Sequence, residues 1–76
     1  MNDKRRNKLK SVEVLIDKAI SLAQTALDEE QDCLDNMPEN LQGSNRYEKI
    51  EEAVEKIEEA IQQLEDAKDN LEEAMR

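Results

Sequence analysis

Residues 51–57 (EEAVEKI), 58–64 (EEAIQQL) and 65–71 (EDAKDNL) are successive seven-residue units, and residues 72–76 (EEAMR) begin a fourth. A strict period of seven is typical of helices that wind around one another in a left-handed supercoil. Residues seven positions apart form columns along one helix, and one of the three columns consists only of alanine. Because alanine lets a neighbouring helix approach closely, this column predicts close helix packing. The three columns are Ile50, Ile57, Leu64 and Leu71; Tyr47, Val54, Ile61, Lys68 and Met75; and Ala53, Ala60, Ala67 and Ala74.

Working outward from the repeat, the first half of the chain also has apolar residues at helical spacing. This spacing predicts a first helix over about residues 3–36. Pro38 disfavours helical backbone at the residue before it, and Gly43 permits a positive φ. A turn is therefore expected over about residues 37–44.

The second helix is predicted to begin directly after this turn. Ser44 or Asn45 can cap its start, and it is expected to run over about residues 45–75. Two helices of matched length with a short connection predict an antiparallel helical hairpin. The fold class is therefore all-α, with a single domain over residues 1–76.

The apolar arc of helix one is wider than one partner helix can cover. It spans about 160° at 100° per residue. A chain of 76 residues that is 41% charged buries only a small core alone, and oligomerisation is a common remedy. We therefore expect a homo-oligomer, a dimer or tetramer, in which hairpins form a coiled-coil-like helical bundle. The arc consists of Val12, Leu15, Ile16, Ala19, Ile20, Leu22, Ala23, Ala26 and Leu27.

Composition narrows the classes of function. The net charge of −9 argues against stable DNA or RNA binding, although residues 1–18 carry six basic and three acidic groups. No apolar run is long enough for a membrane span, and no secretory signal is evident. The single cysteine, Cys33, excludes an intrachain disulfide and fits a reducing cytoplasm.

Enzyme chemistry is not expected from these residues. The chain has no histidine, and Cys33 on the apolar arc is interpreted as a small hydrophobe. The acidic residues lack the pattern of a calcium loop or carboxylate-bundle metal centre, so no metal or other cofactor is expected. Two charged residues fall on core positions. Lys68, opposite Val12, is interpreted as extending its charged end to the surface or as controlling the register, and the other residue is Glu30.

Glu30 has two interpretations. It can fix the register by an ion pair with Arg46 or Lys49, or it can form one wall of a polar pocket. The basic start of the chain, with Arg5 and Arg6, is also open to two interpretations. It can offset the acidic C-terminus of helix two beside it, or it can bind an anion.

The turn and the start of helix two form the most suggestive segment for binding. Helix N-termini present free N–H groups and a positive dipole to anions. An arginine can hold a phosphate and an aromatic ring can stack on a base, although capping and packing explain the same residues. The candidate residues in this segment are Gln42, Ser44, Asn45, Arg46 and Tyr47.

The chain resembles a group of small proteins in three parts of its sequence. These are the stretch DNMPENLQGSNRYEKIEEA at residues 35–53, the acidic heptads after it and the basic KRR at residues 4–6. These helical-hairpin proteins are encoded by phages and prophages of Gram-positive bacteria. The resemblance covers nearly the whole chain. Phage proteins of similar size and helical character act as oligomeric sponges for the nucleotide signals of antiphage defence.

The resemblance favours a non-enzymatic inhibitor of bacterial immunity that sequesters a nucleotide-derived signalling molecule in the host cytoplasm. Arg5, Arg6 and Arg46 would contact phosphates, and Tyr47 and Gln42 would contact the base. One alternative is an acidic coiled-coil protein that inhibits a host protein by direct contact or by mimicking nucleic acid. A further alternative is a structural assembly or scaffold role.

Overall fold

A computed structural model describes all 76 residues and contains two helices packed side by side. Helix α1 spans Asp3–Asp35 and helix α2 spans Asn45–Ala74, with a single 3₁₀ turn at Glu39–Leu41 between them. Asn2 caps α1, because its side-chain oxygen accepts a hydrogen bond from the Arg5 N–H at 2.9 Å. The predicted all-α antiparallel hairpin is confirmed.

The turn owes its shape to residues 38–44. The Leu41 N–H donates to the Pro38 carbonyl at 2.9 Å, and the Ser44 N–H donates to the Leu41 carbonyl at 3.1 Å. Gly43 has a φ of +86°, a conformation that residues with a side chain rarely adopt. Ser44, rather than Asn45, caps α2, because its hydroxyl accepts a hydrogen bond from the Tyr47 N–H at 3.3 Å.

The two helices meet along positions that alternate at steps of three and four residues. We label these positions a and d of a heptad. Only Val54 and Ile61 are buried, and the other contact positions are half-buried. The a and d residues of α1 are Arg6, Leu9, Glu13, Ile16, Ile20, Ala23, Leu27, Glu30 and Leu34, and those of α2 are Tyr47, Ile50, Val54, Ile57, Ile61, Leu64, Lys68, Leu71 and Met75.

The hairpin is a rod rather than a globule. Its Cα atoms extend over 59 × 15 × 13 Å, and the radius of gyration is 17.3 Å. A compact domain of this length has a radius of gyration of about 11 Å. Such a thin shape explains why so few side chains lose contact with solvent. Neither helix combines the length and the apolar character that crossing a bilayer requires.

The alanine column of α2 does not lie between the two helices of the hairpin, so it does not form the contact within one chain. Ala60, Ala67 and Ala74 are exposed, and only Ala53 is half-buried. The larger residues at a and d fill the space between the helices, so the alanines occupy the flanking g position. The g column therefore lines one side of the rod.

Lys68 occupies a core position and reaches a partner other than the predicted one. Its Nζ lies 2.8 Å from an Asp17 carboxylate oxygen, whereas the predicted neighbour, Val12, is exposed. Because the lysine side chain is long, it reaches past the apolar seam to the surface of α1. This is the only ion pair between the two helices, so it is the charged contact that favours this register.

Substitution of Asp17 by asparagine is expected to lower the Tm modestly near neutral pH and to have no effect in strong alkali. The hydrogen bond and charge of Asp17 raise the pKa of Lys68 above its ordinary value of 10.5. From neutral pH up to pH 10.5 the pair therefore contributes its full stability, and it loses that stability as the pH rises through the raised pKa of Lys68. Thermal unfolding of both proteins across this range tests the expectation, and a Tm difference that persists when Lys68 is neutral would contradict it.

Candidate functional site

A groove of about 490 Å³ opens at the turn end of the rod. Its apolar wall is formed by Met37, Pro38 and Leu41, where the chain leaves α1 and crosses to α2. Residues from both helix ends complete it, so the groove exists only because the turn brings those ends together. The lining residues are Cys33, Asn36, Met37, Pro38, Leu41, Ser44 and Arg46.

The charge of this groove differs from that of the rest of the molecule. The chain has 20 acidic residues, yet none of them lines the groove. Arg46 is its only charged lining residue, and it takes part in none of the three ion pairs of the structure. An unpaired guanidinium beside an apolar wall is suited to a ligand that carries both a phosphate and a flat, weakly polar group.

The other predicted binding residues of the turn segment do not line the groove. Gln42 and Asn45 are exposed on the outside of the turn, and Tyr47 is half-buried at the end of the helix–helix seam. Ser44 lines the groove, but its hydroxyl already caps α2. Of the five candidates in the segment, the structure therefore brings only Ser44 and Arg46 together in the groove.

Arg5 and Arg6 lie at the opposite end of the rod. They follow the start of α1 and Arg46 lies beyond its end, a separation of about 45 Å at 1.5 Å per residue. The Arg6 Nε donates to the Met75 carbonyl at 3.1 Å, and its guanidinium also meets Asp3 at 3.4 Å. This arginine therefore satisfies a free carbonyl at the C-terminus of α2, which supports the structural interpretation of the basic start.

Glu30 forms no ion pair, so the predicted pairing with Arg46 or Lys49 is wrong. It is half-buried at a d position of the seam and does not line the groove. Lys49 lies on the outer surface of α2 and Arg46 lies on the flank with the turn groove, and both side chains remain exposed to water. Solvation of these long cations competes with an ion pair to a half-buried carboxylate.

A second groove, of about 410 Å³, lies on the other flank of the rod and is strongly acidic. No basic side chain lines it, so it repels anions and suits a cationic partner. No group of three or more histidine, cysteine, aspartate or glutamate side chains is arranged to hold a metal ion. The acidic groove is lined by Leu34, Val54, Glu48, Glu51, Glu52, Glu55 and Glu58.

The prediction missed several groove residues because they precede the turn or look like packing residues. Cys33 was interpreted as a core hydrophobe, but it is exposed and lines the groove. A signal for it exists in the heptads: Cys33 and Arg46 both occupy g positions of their helices. In an antiparallel pair the two g columns lie on the same flank, which places these two side chains together.

Comparison with known proteins finds no matching family model, no significantly similar curated protein and no significantly similar solved structure.

Proposed function

We propose that this chain is a non-enzymatic binding protein that captures a small nucleotide-derived signalling molecule in the groove at the turn. In this proposal it serves a phage by lowering the concentration of a signal that host immunity needs, and it acts in the host cytoplasm. The observation that carries the proposal is the composition of the groove, which combines an unpaired arginine with apolar residues and lacks any carboxylate.

The location of Arg46 gives the proposal its chemistry. Arg46 belongs to the first turn of α2, where backbone N–H groups are not used by the helix itself. A phosphate placed there would accept charge-assisted hydrogen bonds from the guanidinium and would sit at the positive end of the helix dipole. Met37 and Leu41 offer an apolar surface to the base or sugar of the same ligand.

Replacement of Arg46 by alanine is expected to weaken ligand binding about tenfold to a hundredfold, as hydrogen bonds to charged groups contribute about 1.5–3 kcal/mol. Isothermal titration with cyclic dinucleotides, other cyclic nucleotides and ADP-ribose-derived signals measures this. Lys18→Ala is the control, because it removes an exposed cation from the middle of the rod, away from both ends. Heating the complex and recovering the ligand intact separates sequestration from hydrolysis.

A second candidate function is suggested by the acidic groove with its five glutamates. A surface of this kind could contact a basic host protein directly, or compete with nucleic acid for it. Failure of the wild-type protein to bind any nucleotide tested would reject the first proposal. Capture of a basic host protein that is lost with Glu51→Lys and Glu55→Lys, but not with Arg46→Ala, would support the second.

A further inference from the structure

One flank of the rod carries a largely apolar face that the hairpin itself leaves mostly exposed. Both g columns lie on this flank, together with the next column of α1, which contains Leu15 and Leu22. We call this surface the g face. Leu15 is 64% exposed and Leu22 is 73% exposed, which is unusual for leucines at a regular helical spacing. The g columns are Arg5, Val12, Ala19, Ala26 and Cys33 in α1 and Arg46, Ala53, Ala60, Ala67 and Ala74 in α2.

The pattern of the g face is that of a helix-packing seam. On α1 the apolar residues of the face follow steps of three and four, from Val12 through Leu15, Ala19 and Leu22 to Ala26. The opposite flank contains the e positions, which follow the d positions. In α2 these are all glutamates, so this flank has no apolar seam: Glu51, Glu58, Glu65 and Glu72. Small residues along the middle of the g face leave a shallow channel into which another helix can pack.

The rod shape exposes enough surface to bury a standard interface against a second copy. The accessible surface is 5792 Å², whereas a folded monomer of 8.8 kDa exposes about 4,800 Å². The excess of about 1,000 Å² is close to the roughly 800 Å² per partner that a standard protein interface buries. Only two residues are buried within the hairpin itself, so burial of apolar surface against a second copy would add substantially to its stability.

The charges of α1 favour one orientation of a second copy. Residues 4–10 contain five basic and no acidic residues, and residues 28–35 contain five acidic and no basic residues. Two parallel α1 helices would place like ends together, whereas two antiparallel helices would pair each basic end with an acidic end. An antiparallel arrangement centred on Ala19 places residue i opposite about residue 38 − i of the other copy.

We propose that two copies of the chain pack through their g faces, with their α1 helices antiparallel, as a four-helix bundle. In this arrangement the partner's Arg5 lies beside Cys33, at the edge of the turn groove that holds Arg46. Each groove thereby gains a second guanidinium from the other copy. This completion of the groove rests on the proposed function, but the pairing of the two copies does not.

Replacement of Arg5 by cysteine tests the arrangement without any ligand. The new thiol is expected to form a disulfide with Cys33 of the other copy, so that two such bonds join each pair of chains. Within a single hairpin the same two residues are about 42 Å apart along α1, so no intrachain bond can form. The measurement is a non-reducing gel after mild oxidation with oxidised glutathione, followed by mass spectrometry of the linked peptides.

Three controls make the result decisive. Wild-type protein, Lys10→Cys and the double variant Arg5→Cys/Cys33→Ser are all expected to stay uncrosslinked, because Lys10 lies on the e flank and the last variant lacks the partner thiol. Circular dichroism of the reduced proteins shows that each variant folds. A wild-type disulfide through two Cys33 residues would indicate parallel packing, and equal cross-linking of Lys10→Cys would indicate random collision. Either result, or a wild-type monomer in sedimentation at micromolar concentration, overturns the proposal.

Discussion

Glutamate at both Leu15 and Leu22 is expected to convert the protein from a two-copy bundle into a monomer with reduced thermal stability. These leucines are the most exposed of the large apolar residues, and they lie halfway along the g face, on either side of Ala19. Full burial of one leucine contributes about 1.5–3 kcal/mol, and two copies contain four of them. At the lower figure the four leucines contribute about 6 kcal/mol, and losing half of that weakens association about a hundredfold. The cost of burying the new carboxylates would weaken it further.

Analytical ultracentrifugation of the wild type and the double variant over a concentration series measures this effect. Val14→Glu is the control, since Val14 is 55% exposed but lies on the outward surface of α1, away from the g face. This control should associate as the wild type does and should retain its concentration-dependent Tm. Equal association by the double variant and the control would show that the g face is not the contact between copies.

Replacement of Ile61 by alanine is expected to leave the hairpin largely unfolded at ordinary temperatures. Ile61 and Val54 are the only buried residues of the chain. Truncation of a buried isoleucine to alanine costs about 2–5 kcal/mol. A domain of this length has a total stability of about 4–11 kcal/mol, and a rod with so small a core belongs at the low end.

The measurement is the helical circular dichroism signal during thermal and urea unfolding. Val14→Ala is a suitable comparison, because it also shortens a β-branched apolar residue within a helix but does so at an exposed site. That variant should unfold within a few degrees of the wild type. An Ile61→Ala protein with wild-type helicity and midpoint would mean that stability comes mainly from surfaces outside the a and d seam.

The hairpin could be predicted because its determinants are local. Heptad spacing, Pro38, Gly43 and Ser44 each act within a few residues of themselves, and the structure places the turn and both helices where these signals indicate. Pairing across the seam was harder to predict. A long side chain such as that of Lys68 can reach several residues along the opposite helix, so its contact with Asp17 does not follow from a residue-by-residue register.

The candidate site could be predicted only in part. Arg46 was identified from its position at a helix N-terminus, but Cys33 and Met37 became groove residues only through the path of the chain across the turn. Arg5 and Arg6 were grouped with Arg46 by charge, whereas an antiparallel hairpin separates them by nearly its whole length. Charge alone contains no information about distance along the rod.

The hydrogen bond between Arg6 and Met75 shows that both chain ends lie at the same tip of the rod. For a single hairpin, an affinity tag or fluorescent protein on either terminus would therefore be remote from the turn groove. In the proposed antiparallel pair, the same fusion would stand at the entrance to the other copy's groove. Fusions should then impair ligand capture at both termini alike, and a tagged protein that binds nothing should be assayed again after the tag has been removed.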